Sequence, residues 1–576
     1  MPTSSPASPL IFPVPQRVTP AEGHTSAAAL AQLREHVDAD AVGRPQGYRL
    51  TVTPDAVELV GHDDAGLFHG RQSFLQLQRH AAAHPGSVPC LTVEDWPDIL
   101  TRGFMFDISR DRVPTLDTIK LVIDKLALLK FNQFQLYTEH TIAYVGHEPV
   151  WKDASPLSFD EYREIEAYCR ERHIDLVPCQ NVFGHMHRWL MTPGYEHLAE
   201  APDGWDTPWG WRDERPSSLY PADPKSFELS ADLIDQLAAH SGSKLFNIGC
   251  DETDDLGQGK SEARVAKDGR AAVYLEYLQR LCERVAGHGK TPLFWGDIVL
   301  NHPELIPQLP DDAVLLNWGY EAGHPFMEQS KQFHDAGVRY YVCPATSSWC
   351  TLTGRGENTT TNSREAAEAA ARYGAEGFLV TDWGDNGHWQ PLSVSWVGLV
   401  YGAGVGWAVE QNTSTDHLPH HIARLALDEP TDTLGQILWD LSNLYLQTDV
   451  RIVNTTWWFH ALQWTDQPWD VEPRSGIDAD GVKRTVTELD RLDAALSAYE
   501  PTHENTALVK REIDWVIQLV RWVCDRSPYL GGKESSPSLD ALVATHRAIW
   551  LERCRPGGLD DSVAKLRKIE GPDAVA

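Results

Sequence analysis

Short apolar runs alternate with longer amphipathic ones from Arg102 to about residue 400, and this alternation dominates the chain. The strand-like runs are RGFMFDIS (102–109), FNQFQLYTE (131–139), IDLVPCQNVFGH (174–185) and KLFNIGCDE (244–252). TPLFWGD (291–297), AVLLNWGY (313–320), RYYVCPATSSW (339–349) and EGFLVTDWGD (376–385) follow. Between them lie segments with helical periodicity. Leu116, Ile119, Val122, Leu126 and Leu129 share one face. Phe159, Tyr162, Ile165 and Cys169 share another, with Ser158 placed to cap that helix. Val273, Tyr277, Leu281 and Val285 form a third face, ended by Gly287. Strand-then-helix repeats of this kind predict an α/β fold, a (β/α)8 TIM barrel.

The texture differs on either side. Near the N-terminus YRLTVTPDAVELVG alternates like a hairpin, and AGLFHGRQSFLQLQRHAA has helical spacing. Beyond about residue 430 the strand pattern stops and amphipathic helices follow. The predicted organisation is a small α/β domain over 1–98, a catalytic barrel over 99–425 and a helical domain over 426–576. Residues 187–224, rich in Trp and Pro, interrupt the barrel after its third strand. They are too long for a simple connection and are expected to cover the barrel mouth. The Pro/Ser-rich first residues carry no periodicity.

Composition narrows the chemistry. Of 576 residues 42% are hydrophobic, the share of an ordinary globular protein, and the formal net charge is -32. Such a surface repels phosphate backbones and anionic lipid, so the expected partner is neither nucleic acid nor membrane but a neutral or weakly charged substrate. No run reaches the ~18 apolar residues of a membrane span. Nine scattered cysteines without a CxxC pair predict free thiols, a reducing compartment and a cytoplasmic location. The 21 tryptophans, none before Trp96, suit a ligand with flat apolar faces, such as a pyranose. The stretch DLGQGKS ends like a phosphate loop, but Asp254 stands where such a loop needs glycine.

Reacting groups in a (β/α)8 barrel sit at the C-terminal ends of strands. Here those ends carry Asp107, Glu139 and His140, His185 and His187, Asp251 and Glu252. Trp295 and Asp297, Trp318 and Tyr320, Trp349, and Asp382, Trp383 and Asp385 complete the circuit. Adjacent Asp251 and Glu252 pose a geometric question. Consecutive side chains on a strand face opposite ways, so both can enter the mouth only where the chain turns. Neighbours on one chain cannot flank a glycosidic bond from opposite sides, as paired glycosidase carboxyls do. They suit a division of labour in which one protonates the leaving oxygen and the other handles a substrate group.

Asp251-Glu252 after a strand, RGFMFDISR on the first barrel strand and the later tryptophans resemble glycoside hydrolase family 20, the β-N-acetylhexosaminidases, over about residues 40–420. That resemblance implies an exo-acting, retaining, substrate-assisted glycosidase, the recognised exception to the two-carboxylate scheme. It implies Glu252 as general acid and then base, and Asp251 as the group that orients the 2-acetamido nitrogen. The acetamido oxygen would then attack the anomeric carbon to give an oxazolinium ion. Arg102 would grip sugar hydroxyls, Trp295, Trp318 and Trp383 would wall the pocket, and Asp385 would bind hydroxyls. His185 would stand behind the acids beside Glu139. The implied substrate is a terminal β-linked N-acetylglucosamine or N-acetylgalactosamine on an oligosaccharide or glycoconjugate, with no cofactor and no metal, and a homo-oligomer is compatible with it. The chain departs from the family pattern at Asn247, where histidine is usual, at Cys250 and at LYTEHTIAY. No seventh-strand tyrosine matches the one that binds the acetamido oxygen; Trp349 and Tyr340 are nearest its place. Two rival readings are a divalent-metal hydrolase using His185, His187, Asp251, Glu252 and Asp297, and a catalytically silent sugar-binding protein.

Overall fold

The computed structural model describes residues 10–530, apart from 85, 87, 111, 466, 468, 470 and 471, together with 537–568. The start of the Pro/Ser-rich run lies outside them.

Alternation near the N-terminus becomes a five-stranded sheet of β1 (Arg17–His24), β2 (Leu33–Val37), β3 (Tyr48–Val52), β4 (Val57–Gly61) and β5 (Pro89–Asp95), in spatial order β1-β5-β3-β4-β2. Leu50, Val52, Val57 and Leu59 are buried against the helix Asp64–Ala83, as the hairpin pattern requires. The side chain of Asp63 caps that helix by accepting from the Gly66 amide.

All eight strand-like runs enter one closed parallel barrel. Its strands are β6 (Thr101–Asp107), β7 (Gln133–Thr138) and β8 (Asp175–Gln180), then, after a short hairpin of β9 (Trp205–Asp206) and β10 (Arg212–Asp213), β11 (Leu245–Asn247), β12 (Thr291–Trp295), β13 (Val314–Trp318), β14 (Arg339–Cys343) and β15 (Gly377–Asp382). The hairpin belongs to the insertion after β8. Barrel helices begin where their caps predict: Thr115 caps Leu116–Leu128, and Ser158 with Glu161 forms a capping box on Phe159–Arg170. The helix Leu392–Trp407 is apolar on all sides and buried throughout, so it is a core element. Among the described residues no helix is long and apolar enough to cross a membrane. All nine cysteines are buried free thiols.

The C-terminal helices, from Thr433–Ser442 to Leu559–Arg567, do not form a separate core. Trp457, Trp458, Trp515 and Trp550 belong to the same continuous apolar cluster as the barrel strands. Their last turns reach back to the loop after β6. The Thr115 amide donates to Arg553 O at 3.0 Å, the Arg555 amide to Val113 O at 2.8 Å, and Arg112 Nε to Cys554 Sγ at 3.1 Å.

Arg102, expected to grip sugar hydroxyls, lies at the wrong end of the barrel. It opens β6, and in a parallel barrel the opening residues lie at the face opposite the mouth. It is 2% exposed. Its guanidinium donates to Ile99 O, Leu100 O and Lys130 O at 2.8–3.0 Å and to Gln46 Oε1 at 2.9 Å, and it covers the Trp407 ring at 4.8 Å. Beside it, fully buried, Lys130 pairs with Asp95 at 2.8 Å. Arg102 therefore bolts the N-terminal domain to the barrel floor. Replacing it leaves several buried acceptors without a donor. Arg102→Met should cost about 2–4 kcal/mol of stability, read as a lowered Tm, while activity per folded molecule stays within about 2-fold of the parent.

Candidate active site

β11 is short because the chain leaves the sheet at Ile248 and turns sharply. Gly249 (φ +69°), Cys250 (φ +71°) and Glu252 (φ +47°) all adopt left-handed backbone. Only glycine fits at 249, where a Cβ would overlap the Asn181 side chain. Cys250 and Glu252 each carry strain of order 1 kcal/mol, held by surrounding bonds. The Cys250 amide donates to Asn181 Oδ1 at 3.1 Å, and its carbonyl accepts from the Tyr274 hydroxyl at 3.0 Å. Gly249 O accepts from the Trp295 amide at 2.9 Å, and the Glu252 amide donates to Asp297 Oδ2 at 3.1 Å. The turn answers the strand-alternation problem: both neighbouring acids converge on His185. Its Nε2 lies 3.1 Å from Asp251 Oδ2 and 3.5 Å from Glu252 Oε2. Asn181 Nδ2 donates to the other Asp251 oxygen at 2.7 Å.

This geometry separates the two acids electrostatically. Burial works against the Asp251 charge, but His185, Asn181 and Arg110 outweigh it and hold its pKa below the ordinary carboxylate range. Burial pushes Glu252 up to about 7, with Asp251 and Asp385 adding repulsion and His185 and Arg110 resisting. Burial disfavours the charge on His185, yet Asp251 and Glu252 raise it to about 9. An ionised Asp251 therefore faces a protonated His185, and a proton-holding Glu252 stands beside both. Burial, with repulsion from Asp251, drives Asp297 well above the usual carboxylate range, and its Oδ2 braces the Glu252 amide.

The arginine in the mouth is Arg110, at the far end of the same RGFMFDISR run. Its Nη1 meets Asp107 Oδ2 at 3.1 Å, and its Nε lies 3.1 Å from Glu139 Oε1 and 3.9 Å from Asp385 Oδ1. It covers the rings of Tyr137 at 4.7 Å and Trp383 at 5.1 Å. Burial opposes its charge, but Glu139, Tyr137, Asp107 and Asp385 hold it firmly protonated. The signal for it was strand direction. Arg110 follows the C-terminal end of β6 and Arg102 precedes nearly all of it.

Of the other expected residues, Glu139 is buried and also accepts from the Tyr137 hydroxyl at 3.0 Å. Trp295 and Trp383 are buried with ring centroids 5.7 Å apart, and half-buried Trp318 stacks on Tyr320 at 5.1 Å. Asp385 lines the open cavity with Arg110, Glu139, His185 and Glu252. Trp349 has no hydroxyl to offer, and Tyr340 does not bring its hydroxyl to the mouth. Trp349 backs Tyr320 edge-on at 5.1 Å, and Tyr340 packs outward on Phe333 of the helix Phe326–Ala336. The hydroxyl that does stand there is Tyr320. It accepts from Trp383 Nε1 at 2.9 Å and keeps its own proton, because burial, with Asp251 and Glu252 nearby, raises its pKa. Its place two residues after Trp318, on the same strand-end face, was the available sequence signal.

The mouth occupies one end of a cavity of about 1080 Å³. A closed eight-stranded barrel with an ionised and a protonated carboxyl on one histidine, inside aromatic walls, defines a barrel protein shaped to hold a polar ring compound at its strand ends. The glycosyl hydrolase family 20 catalytic-domain model matches residues 101–397, and that family's domain 2 matches residues 14–96. The chain belongs to glycosyl hydrolase family 20. The beta-hexosaminidase of Akkermansia muciniphila is 26% identical over 283 residues, 44% of this chain and 57% of that one. The beta-hexosaminidase of Porphyromonas gingivalis is 25% identical over 49% of this chain and 38% of its own length. The match thus spans about half the length of these relatives. Among solved structures, a beta-N-acetylhexosaminidase aligns with TM-score 0.58 at 19% identity, covering 73% of this chain and 96% of that one. The exo beta-N-acetylglucosaminidase of Vibrio harveyi, solved in complex with N-acetylglucosamine, aligns with TM-score 0.57 at 15% identity, covering 73% and 77%. At these identities the structural likeness is one of fold.

The His185 cluster makes a stability prediction. With a folded pKa of about 9 against an ordinary 6.5, His185 contributes stability that is complete below 6.5 and lost as pH rises through about 9. His185→Gln lacks that contribution. Its Tm should therefore fall less than the parent's between pH 6.5 and 9, measured by thermal denaturation at several pH values.

Proposed function

We propose that the protein is an exo-acting, retaining β-N-acetylhexosaminidase working by substrate-assisted catalysis. The observation that carries this reading is the opposite protonation of two neighbouring carboxyls on one histidine. Family membership and the hexosaminidase names of its relatives support it.

The terminal sugar lies among Trp295, Trp318 and Trp383. Arg110, Glu139 and Asp385, already linked by ion pairs, take its hydroxyls. Ionised Asp251 accepts the 2-acetamido N–H and holds the amide so that its oxygen faces the anomeric carbon. The Tyr320 hydroxyl, with its proton free of Trp383, donates to that amide oxygen and fixes its position. Glu252 gives its proton to the glycosidic oxygen as the bond breaks. The amide oxygen closes on the anomeric carbon, and Asp251 stabilises the resulting positive charge. Water then attacks the anomeric carbon on the face the aglycone has left, giving a proton to the Glu252 carboxylate as the bond from that carbon to the amide oxygen breaks and the neutral acetamido group is restored, so configuration is retained. His185 keeps Asp251 ionised throughout, which reserves the proton for Glu252.

One reading competes. His185, Asp251 and Glu252 each offer a ligand-type atom, all within 4.8 Å of one another. Two features count against a metal. The His185 nitrogen facing Asp251 must carry a proton to donate to an ionised carboxylate, so it has no lone pair to offer. The Asn181 amide already occupies the second Asp251 oxygen.

The test is hydrolysis of aryl β-glycosides of N-acetylglucosamine and N-acetylgalactosamine beside the plain glucoside. The N-acetyl substrates should be cleaved and the glucoside left intact. Because Glu252 must hold its proton, kcat/KM should decline as pH rises past about 7. Glu252→Gln should lower kcat by about 10²–10⁴-fold. Equal cleavage of the glucoside, or loss of activity with a chelator, would count against the proposal.

A further inference from the structure

We infer that the insertion after β8 and the C-terminal helices together form an aglycone-binding shelf, so the enzyme takes extended neutral oligosaccharides and not only a terminal sugar on a small leaving group. This rests on the reading of Glu252 as the acid that protonates the glycosidic oxygen. Glu252 then marks the scissile bond, and whatever lines the cavity outward of it meets the sugars beyond that bond.

The lining there comes from two elements outside the barrel. From the insertion come Trp209 and Trp211, and from the C-terminal region Asn454, His460 and Trp464. Trp209 and Trp211 are 57% and 44% exposed, against a chain whose other tryptophans are mostly buried. They stack with centroids 5.3 Å apart at 21°, and Trp211 meets Trp464 edge-on at 5.7 Å. Exposed indole faces have an energetic cost in water that a pyranose face would relieve.

The shelf is fixed in place. The β9–β10 hairpin closes through the Thr207 amide on Trp211 O at 2.8 Å, with Gly210 at φ +91° in the turn. Gln258, on the loop that follows Glu252, bonds the backbone of Asp206 from both sides, at 2.8 and 3.0 Å. On the other wall, the Asn454 amide donates to Glu321 Oε1 at 2.7 Å, and Arg355 locks Glu321 at 2.7 Å. The shelf is thus braced to the barrel at the acid turn and at the strand ends opposite.

Polar groups for sugar hydroxyls are present. Among the described residues, Asn454 Oδ1 and His460 Nδ1 are buried without a hydrogen-bond partner. His460 is neutral, pulled down to about 4 by burial and Arg474, so it offers a hydrogen bond and not a charge. The rim arginines are spent on acids, Arg188 on Asp561 at 2.5 Å and Arg215 on Asp213 at 2.8 Å. Flat aromatic faces, neutral polar atoms and paired arginines fit an uncharged glycan.

The test compares two substrates with the same terminal sugar, N-acetyl-β-glucosaminyl fluoride, which has no aglycone ring, and the β-1,4-linked trimer of N-acetylglucosamine. Trp209→Ala and Trp211→Ala should lower kcat/KM on the trimer at least 10-fold, mostly through KM. The fluoride should stay within about 2-fold, which also certifies the fold, and Trp211→Phe should recover most of the loss. Calorimetric titration of the trimer into Glu252→Gln, with and without Trp211→Ala, reads binding without turnover. Trimer that binds through the tryptophans but is never cleaved would uphold the shelf and sink the hydrolase reading. Trimer cleaved and bound equally well by parent and tryptophan variants would overturn the shelf alone.

Discussion

Too many acids share the mouth of this barrel with too few cations, and the site's chemistry follows from that imbalance. Asp107, Glu139, Asp251, Glu252, Asp297 and Asp385 surround Arg110 and His185 in a region largely removed from water. Not every carboxyl there can ionise. A carboxyl whose cation and amide donors outweigh burial keeps its charge, and one on which burial and like-charge repulsion win holds its proton to higher pH. Asp251, bonded to His185 and Asn181, is held below the ordinary carboxylate range, whereas burial and repulsion push Glu252 and Asp297 above it. The proton that a glycosidic oxygen would need is therefore stored by competition among neighbours, without a dedicated donor.

The same competition accounts for the unusual backbone. Two adjacent acids cannot reach one histidine from a regular strand, so β11 ends early and the chain runs left-handed at three positions. Local conformational preference is spent to bring the two carboxyls together, and partners from three neighbouring elements, Asn181, Tyr274 and Asp297, hold the result.

The barrel was legible because each of its strands is a short apolar run flanked by amphipathic helices, and tertiary packing did not override that pattern. The polar strand ends were legible for the same reason, since register fixes which residues reach the rim. Arg102 was misplaced because a motif was given precedence over direction. RGFMFDISR holds two arginines at opposite ends of one strand, and only Arg110 shares an end with Asp251. Tyr320 was read only as a strand-end residue, because the hydroxyl was sought on β14, whereas the hydroxyl bonded to Trp383 comes from the end of β13. The Trp-rich insertion was legible as a cover for the mouth, but its contact with the C-terminal region and the core shared by barrel and C-terminal helices were not. Both depend on contacts between segments hundreds of residues apart, such as Trp211 with Trp464.

The loop that follows Arg110 is stitched to residues 553–555, among the last that the described chain contributes. Arg110 itself emerges early during translation. Until synthesis reaches those distant residues, the loop beside it has no fixed seat, whatever the barrel strands have already achieved. Vectorial growth from the ribosome thus gives the molecule an order of completion: the scaffold closes first, and the catalytic rim is finished only when the final helices dock.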